Sequence, residues 1–184
     1  MRATEELMKE HEGIKLMLDI LTAVARRIEQ GGAVPQKDLE GIVEFLSIFA
    51  DKCHHGKEEN FLFPVLEQLG VPREEGPIGV MLAEHDQGRE IIARLADAFA
   101  AYGLSRKSAV DEITTAAKQY VRLLRQHIDK ENGILFPMAE GRISEAEDNR
   151  LIEEFEELER EQIGFGKHEE FHAMLGQLKE TYLV

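Results

Sequence analysis

An internal repeat of histidine and glutamate constrains the fold of this chain more than any other feature. Each half presents one histidine and later a second histidine with a glutamate four residues after it: His11, His54 and Glu58, then His85, His127 and Glu131. The second set keeps the order of the first and almost the same spacing along the chain. Leu-Phe-Pro follows the glutamate in both halves. The duplication predicts two similar units related by an approximate two-fold axis.

Apolar residues recur at helical spacing almost throughout, and no stretch alternates cleanly with a period of two, so we predict an all-α protein. We expect four long helices. The first runs from Thr4 as N-cap to Gly31, and the second covers about residues 37–69. The third follows the breaker-rich connection at 70–77 and ends at about Tyr102, and the fourth runs from Ser105 or Ser108 to about Ala139. Short links favour an antiparallel four-helix bundle, in which each amphipathic stripe faces a shared core. Pro64 and Pro137 are expected to bend or interrupt the second and fourth helices.

The remainder of the chain has no counterpart in the first half. Ser144 and Glu147 fit a capping box that opens a fifth helix, and Gly164-Phe165-Gly166 separates a last short one. We therefore predict a four-helix bundle over residues 1–140, which contains the whole of the histidine and glutamate repeat. A C-terminal helical extension over residues 141–184 is expected to pack on it.

Composition narrows the class of partner. A formal charge of −14 over 184 residues disfavours nucleic acid and anionic membranes, which need clustered Lys or Arg. The polar start and the lack of a long apolar run predict a cytoplasmic protein. The single cysteine, Cys53, allows no internal disulfide and no cysteine-rich zinc site. A metal in this chain therefore depends on imidazole and carboxylate groups.

The repeated side chains have the chemistry of a two-metal site. Residues four apart lie on one face of a helix, so each His-x-x-x-Glu pair can point at one spot. Imidazole and carboxylate suit iron, manganese or zinc, and a carboxylate can bridge two ions. The favoured assignment gives His11 and His54 to one ion, His85 and His127 to the other, with both glutamates bridging. Zinc gains nothing from this arrangement because it has no redox chemistry.

In these motifs the chain resembles the hemerythrin-like, HHE cation-binding family of di-iron four-helix bundles, over about residues 5–140. The resemblance implies two iron ions with an oxo or hydroxo bridge, which react with dioxygen, nitric oxide or peroxide. Hemerythrin proper has a further histidine where this chain has Arg89, and its last ligand is aspartate where this chain has Glu131. These departures match the four-histidine, two-glutamate variety better than they match a reversible oxygen carrier.

Two further histidines need an interpretation. His168, near the start of the last helix, is a candidate for the third imidazole that Arg89 does not supply. A solvated position at a helix start is the alternative. His55 adjoins His54 but points about 100° away from it on a helix. Since its repeat partner is Ile128, we predict a packing role for His55.

Three functions remain open at this stage. The first is a di-iron protein that binds or reduces small oxidants, dioxygen, nitric oxide or peroxide, under oxygen, nitrosative or iron stress. The second is a non-enzymatic iron or oxygen sensor or iron-handling protein. The third is a zinc-stabilised interaction module. No separate catalytic base is identifiable, and the electron donor and any protein partner are left undefined by the sequence.

Overall fold

A computed structural model describes residues 1–104, 108–164 and 166–183, and within them the chain is helical without strands. The six helices are α1 (Arg2–Glu29), α2 (Gln36–Glu44, Phe45–His55, Glu58–Leu62 and Phe63–Gln68), α3 (Pro77–Gly103), α4 (Ser108–Lys130, Glu131–Leu135 and Phe136–Glu140), α5 (Glu145–Gln162) and α6 (Lys167–Tyr182). This confirms the predicted all-α helical bundle with additional C-terminal helices. Ser105 and Phe165 lie outside the described residues.

Helices α2 and α4 each change winding at the predicted metal-binding motif. Within α2, Phe45–His55 and Glu58–Leu62 are π-helical, and Glu131–Leu135 is π-helical within α4. The two short π turns begin at a repeated glutamate and end shortly before a proline. Proline lacks an N–H group and crowds the carbonyl four residues earlier, and a wider turn relieves both problems. The helices are widened at these points rather than interrupted.

The N-terminus of α1 is capped by a residue distant in sequence. Asp148 of α5 accepts hydrogen bonds from the backbone N–H groups of Arg2 and Ala3, at 3.0 Å each. The prediction that Thr4 is the N-cap is therefore wrong. Thr4 lies inside α1, and its hydroxyl is within hydrogen-bond distance of two acceptors, Met1 O at 2.9 Å and Glu140 Oε1 at 2.8 Å. The capping box of Ser144 and Glu147 at the start of α5 is confirmed.

Two apolar clusters fill the bundle, and the repeated histidines lie between them. Along α1, Leu7 belongs to one cluster, Ile14 belongs to the other, and His11 lies between them. In α2, Ala50 and Leu62 bracket His54 in the same way. The polar layer is therefore shielded from water at both ends.

The C-terminal helices complete these clusters. Three residues of α6 enter the larger cluster: Phe171, Leu175 and Leu178. Three residues of α5 enter the smaller one: Leu151, Ile152 and Phe155. Both helices pack against α1. The division at residue 140 stays a prediction.

Candidate metal centre

The six repeated side chains meet inside the bundle. They come from all four long helices, and none is more than 1% exposed: His11, His54, Glu58, His85, His127 and Glu131. Their potential ligand atoms form two groups, each with all atoms within 4.8 Å of one another. One group contains His11 and His54, the other contains His85 and His127, and both contain the two glutamates.

Each glutamate spans both pairs of histidines with its two oxygens. Glu58 places Oε1 3.8 Å from His54 Nε2 and Oε2 3.5 Å from His85 Nε2. Glu131 places Oε1 3.1 Å from His127 Nε2 and Oε2 3.2 Å from His11 Nε2. Within each pair of histidines the Nε2 atoms are 3.0 or 3.1 Å apart. This is the arrangement expected of two carboxylates that bridge two ions.

A polar group on the outer side of each imidazole fixes its tautomer. Nδ1 of His54 lies 2.7 Å from Glu10 Oε2, and Nδ1 of His127 lies 3.0 Å from Glu84 Oε2. Because a carboxylate can only accept a hydrogen bond, Nδ1 of these two rings donates, and Nε2 is the nitrogen left to bind a metal. Nε2 of both rings is thus directed inward, as metal ligation requires.

The same orientation holds for the remaining two histidines, but the acceptors differ. Nδ1 of His85 lies 2.6 Å from Glu59 Oε1, whereas Nδ1 of His11 lies 2.9 Å from the amide oxygen of Asn132. Glu59 and Asn132 occupy equivalent positions in the repeat. The approximate two-fold symmetry therefore holds for the positions of the two acceptors but not for their charge, because one is a carboxylate and the other is a neutral amide.

Two lysines extend the repeat beyond the histidines. Lys57, which is fully buried, lies 2.6 Å from Glu10 Oε1. Lys130 pairs with Glu84 in the other half. Each lysine directly precedes a repeated glutamate. Each acidic partner, Glu10 or Glu84, directly precedes the first histidine of its half. Sequence reasoning missed these four residues, although their equivalent positions in the repeat would have identified them.

Protonation of the cluster before a metal binds follows from burial and mutual charge. Burial, with the charge of Glu131, raises the pKa of Glu58 well above its usual value. Burial opposes a charged imidazole at His127, but Glu131 and Glu84 outweigh it and raise the pKa of His127 to about 9. Burial and the neighbouring His11 lower the pKa of His54 well below its usual value. Before a metal binds, protons on groups such as Glu58 and His127 thus offset the negative charge of the cluster. A bound cation would take over that role.

The residues present fit a metal pair. Within the described part of the chain, the oxygens of Glu58 and Glu131 are buried and make no well-aligned hydrogen bond. Their nearest neighbours are the imidazole nitrogens of the cluster, 3.1–3.8 Å away. Phe63 stacks on His85 with ring centroids 5.9 Å apart, and Phe136 stacks on His11 at 5.6 Å. Two buried carboxylates this close together, enclosed by aromatic rings, are stabilised by a cation between them.

The structure does not bring His168 to this cluster. Its ring lies 5.7 Å from Phe49 and 4.6 Å from His172 by ring centroids, beside a separate cavity of about 440 Å³. Arg89 does not reach the cluster directly either. Its guanidinium pairs with Asp51 at 2.8 Å and with Glu59 at 2.7 Å.

Comparison with known families agrees with this geometry. The family model described as the hemerythrin HHE cation binding domain matches residues 2–139. The chain belongs to the hemerythrin HHE cation-binding family. The match includes all six residues of the candidate centre, so metal binding by this hemerythrin-like chain is a family property. No solved structure matches the chain.

The hemerythrin-like chain is also similar to curated proteins. Uncharacterized proteins of Mycobacterium tuberculosis (strain ATCC 25618 / H37Rv) and Mycobacterium bovis are 28% identical over 162 residues, covering 88% of this chain and 63% of each relative. The iron-sulfur cluster repair protein YtfE of Enterobacter sp. (strain 638) is 26% identical over 148 residues, covering 72% of this chain and 62% of that protein. The chain thus spans less than two thirds of the length of these relatives. In the described residues, no helix has the length and apolar character needed to cross a bilayer.

Proposed function

We propose that this chain is a non-haem di-iron protein that binds or reduces small oxidants, namely dioxygen, nitric oxide or peroxide, under oxygen, nitrosative or iron stress. The observation that supports the proposal is that each glutamate carboxylate faces both pairs of imidazoles. Glu58 and Glu131 each direct one oxygen to each pair of imidazoles. This placement suits two ions, one at each pair of imidazoles, better than it suits a single ion.

The protein side chains supply the ligands and a dry environment. His11 and His54 would hold one ion, and His85 and His127 the other. The glutamates would link the two ions, and the carboxylates behind the imidazoles would keep each ring in its ligating tautomer. When bound, an iron pair supplies the electron transfer to the small ligand. No other acid or base is required of the chain.

Iron is favoured over zinc because four imidazoles and two bridging carboxylates give each ion four protein ligands. This number satisfies a structural zinc ion, whereas iron keeps positions open for small molecules. The similarity to proteins named for iron-sulfur cluster repair supports an iron-related setting. It also favours a second candidate function, in which the chain handles iron for cluster repair rather than reducing an oxidant.

The test is iron stoichiometry combined with optical spectra of the reduced protein before and after exposure to dioxygen, peroxide and nitric oxide. We expect two iron ions per chain and a near-ultraviolet band of an oxo-bridged ferric pair after oxidation. Consumption of peroxide or nitric oxide would support the first function. Reversible loss of iron to an iron-sulfur apoprotein, without turnover, would support the second. Preferential retention of zinc would contradict both.

A further inference from the structure

A cavity of about 440 Å³ lies between α1, α2, α5 and α6, outside the metal centre. Volumes of this size accommodate small organic molecules. Part of the lining is aromatic, since Phe45, Phe49 and Phe171 lie with ring centroids 4.8–6.1 Å apart. The ring of His168 extends this aromatic wall, 5.7 Å from Phe49. Helices α5 and α6 contribute several lining residues, so the cavity depends on the C-terminal helices.

The polar part of the lining is mainly acidic. It contains one lysine, Lys9, and four glutamates: Glu6, Glu10, Glu156 and Glu159. The ammonium of buried Lys57 lies 2.6–3.3 Å from three of these carboxylates, those of Glu6, Glu10 and Glu159. Four carboxylates and two lysines leave two negative charges unbalanced. Glu156 is exposed and forms no ion pair with any described residue. The cavity therefore favours a positively charged occupant.

The walls of the cavity already hold ammonium groups of the chain itself. Besides its three carboxylates, Nζ of Lys57 lies 5.6 Å from the ring centroid of Phe155. Nζ of Lys167 lies 5.1 Å from the ring centroid of Phe171, which lines the cavity. Carboxylates and aromatic faces both attract organic cations. The cavity presents both kinds of surface to a molecule that enters it.

A metal ion suits this cavity less well than an organic molecule. Among the described residues, the lining glutamates contribute to one compact group of ligand atoms beside the cavity, formed by Glu10, Cys53 and Glu159. The ammonium of Lys57 contacts both of these glutamates. Burial raises the pKa of Cys53 to about 12, so its thiol stays protonated. In the described chain His168 belongs to no such group, and a hydrated ion gains nothing from an aromatic wall.

We propose that this cavity binds a small organic cation, a primary ammonium joined to an apolar body. The apolar body would lie against Phe49, Phe171 and Leu175, and the ammonium would pair with Glu156. Glu10 connects the two sites, because its other oxygen lies 2.7 Å from Nδ1 of His54. Binding is nevertheless independent of the proposed di-metal function, since none of the six candidate metal ligands lines the cavity.

The test is isothermal titration calorimetry of the full-length protein with four probes. Phenethylammonium has both proposed features. Phenethyl alcohol has the same shape without the charge, methylammonium has the charge without the apolar body, and phenylpropionate carries the opposite charge. The titrations are made in buffer of physiological ionic strength, which screens general attraction to an acidic protein.

Two variants alter the cavity, and each has a matched control. Glu156→Gln removes one carboxylate charge at nearly constant shape, and Glu157→Gln is its exposed neighbour outside the cavity. Gly13→Leu places a side chain in the cavity, since the nearest atom to a Cβ at Gly13 is Leu175 Cδ1, at 3.8 Å. Gly176→Leu is the control at an exposed helical glycine with open space around it. Circular dichroism checks the folding of each variant.

We expect phenethylammonium to bind about tenfold more tightly than phenethyl alcohol, because the charge strengthens its hydrogen bonds to carboxylates. Methylammonium and phenylpropionate should show no measurable binding. The affinity for phenethylammonium should fall about two- to fivefold in Glu156→Gln, as expected for an exposed ion pair, and binding should be lost in Gly13→Leu. Both controls should bind like the wild type.

Several results would overturn the proposal. Equal affinity for phenethyl alcohol, or tighter binding of phenylpropionate, would exclude recognition of a cation. An equal loss in Glu157→Gln and Glu156→Gln would show attraction to the acidic surface in general. Unchanged affinity in Gly13→Leu would exclude this cavity, and a wild type that does not bind phenethylammonium would exclude the proposed class of ligand. None of these results bears on the metal centre.

Discussion

Glu10 Oε2 lies 2.7 Å from Nδ1 of His54, across the hairpin formed by α1 and α2. The same carboxylate also accepts from Lys57 through its other oxygen. Glu10 therefore fixes the orientation of an imidazole in one helix while it neutralises a buried lysine. Its chain neighbour His11 belongs to the same centre, so a single turn of α1 serves both the inner and the outer side of the metal site.

Replacement of Glu10 should weaken metal binding without removing a ligand. In Glu10→Ala the His54 ring loses its acceptor, and the affinity for one ion should fall by about 10–100-fold. The measurement is a competitive titration with iron(II) under anaerobic conditions. Glu12→Ala is the control because Glu12 is exposed and pairs only with Lys15 among the described residues. Equal affinities in the two variants would contradict the orienting role.

The glutamates and the histidines should differ in how many ions each affects. Glu58→Ala or Glu131→Ala should lower the occupancy of both ions because each carboxylate faces both pairs of imidazoles. His11→Ala should mainly weaken one ion. Metal analysis after dialysis distinguishes the two patterns. Loss of a single ion in all three variants would rule out the bridging assignment.

Metal affinity should rise with pH between 7 and 9. Burial opposes the charge on His127, but Glu131 and Glu84 raise its pKa to about 9, so below that pH a proton occupies the ring that an ion must bind. Burial also raises the pKa of Glu58. Binding must displace these protons, and affinity should change by about tenfold per pH unit for each proton displaced. Titration calorimetry in buffers with different ionisation enthalpies measures the proton release, and pH-independent binding would contradict the assignment.

Asp148 should stabilise the fold by capping α1 from α5. Asp148→Ala removes the acceptor of two N–H groups and should lower the free energy of unfolding by about 0.5–2 kcal/mol. Urea denaturation of the metal-free protein provides the measurement. Glu145→Ala, an exposed position in the first turn of the same helix, is the matched control. A smaller loss in Asp148→Ala than in Glu145→Ala would exclude the capping role.

Cys53 should be unreactive in the folded protein although it adjoins His54. Burial raises the pKa of Cys53 to about 12, so about one thiol in 10,000 is ionised at pH 8, and the thiolate is the reactive form. Labelling with a thiol reagent at pH 8 should therefore be far slower in native than in urea-denatured protein. Rapid labelling of the native protein would indicate a redox-accessible thiol instead.

Much of the architecture could be predicted because helices leave a periodic record in the sequence. The positions of Gly31, Gly103 and Ser144 marked helix ends to within a few residues, and Ser144 with Glu147 forms the predicted capping box. The failure at Thr4 has a clear cause, since its competitor Asp148 lies in α5, far away along the chain. No local pattern could indicate that this acidic side chain reaches the start of α1.

The candidate site also has a part that the sequence predicted and a part that only the packing of the helices shows. A duplicated spacing was enough to select six ligand candidates, since residues four apart share a helix face wherever the helix lies. The acceptors Glu10 and Glu84 carry the same repeat, but their pairing with particular imidazoles crosses between helices. His168 and His55 show the difference most clearly. We predicted a packing role for His55 from helical spacing, and the tertiary structure supplies the partner, since the ring of His55 stacks on His85.

The sequence by itself determined the helical class, the two-fold plan and the residue types available to a metal, because these depend on local periodicity and on side-chain chemistry. Only the tertiary structure decided which carboxylate lies behind which imidazole, that Arg89 pairs with both Asp51 and Glu59, and that His55 stacks on His85. Those relationships depend on how separate helices are rotated and packed against one another. The packing of the whole core sets that rotation, and no segment of the chain encodes it alone.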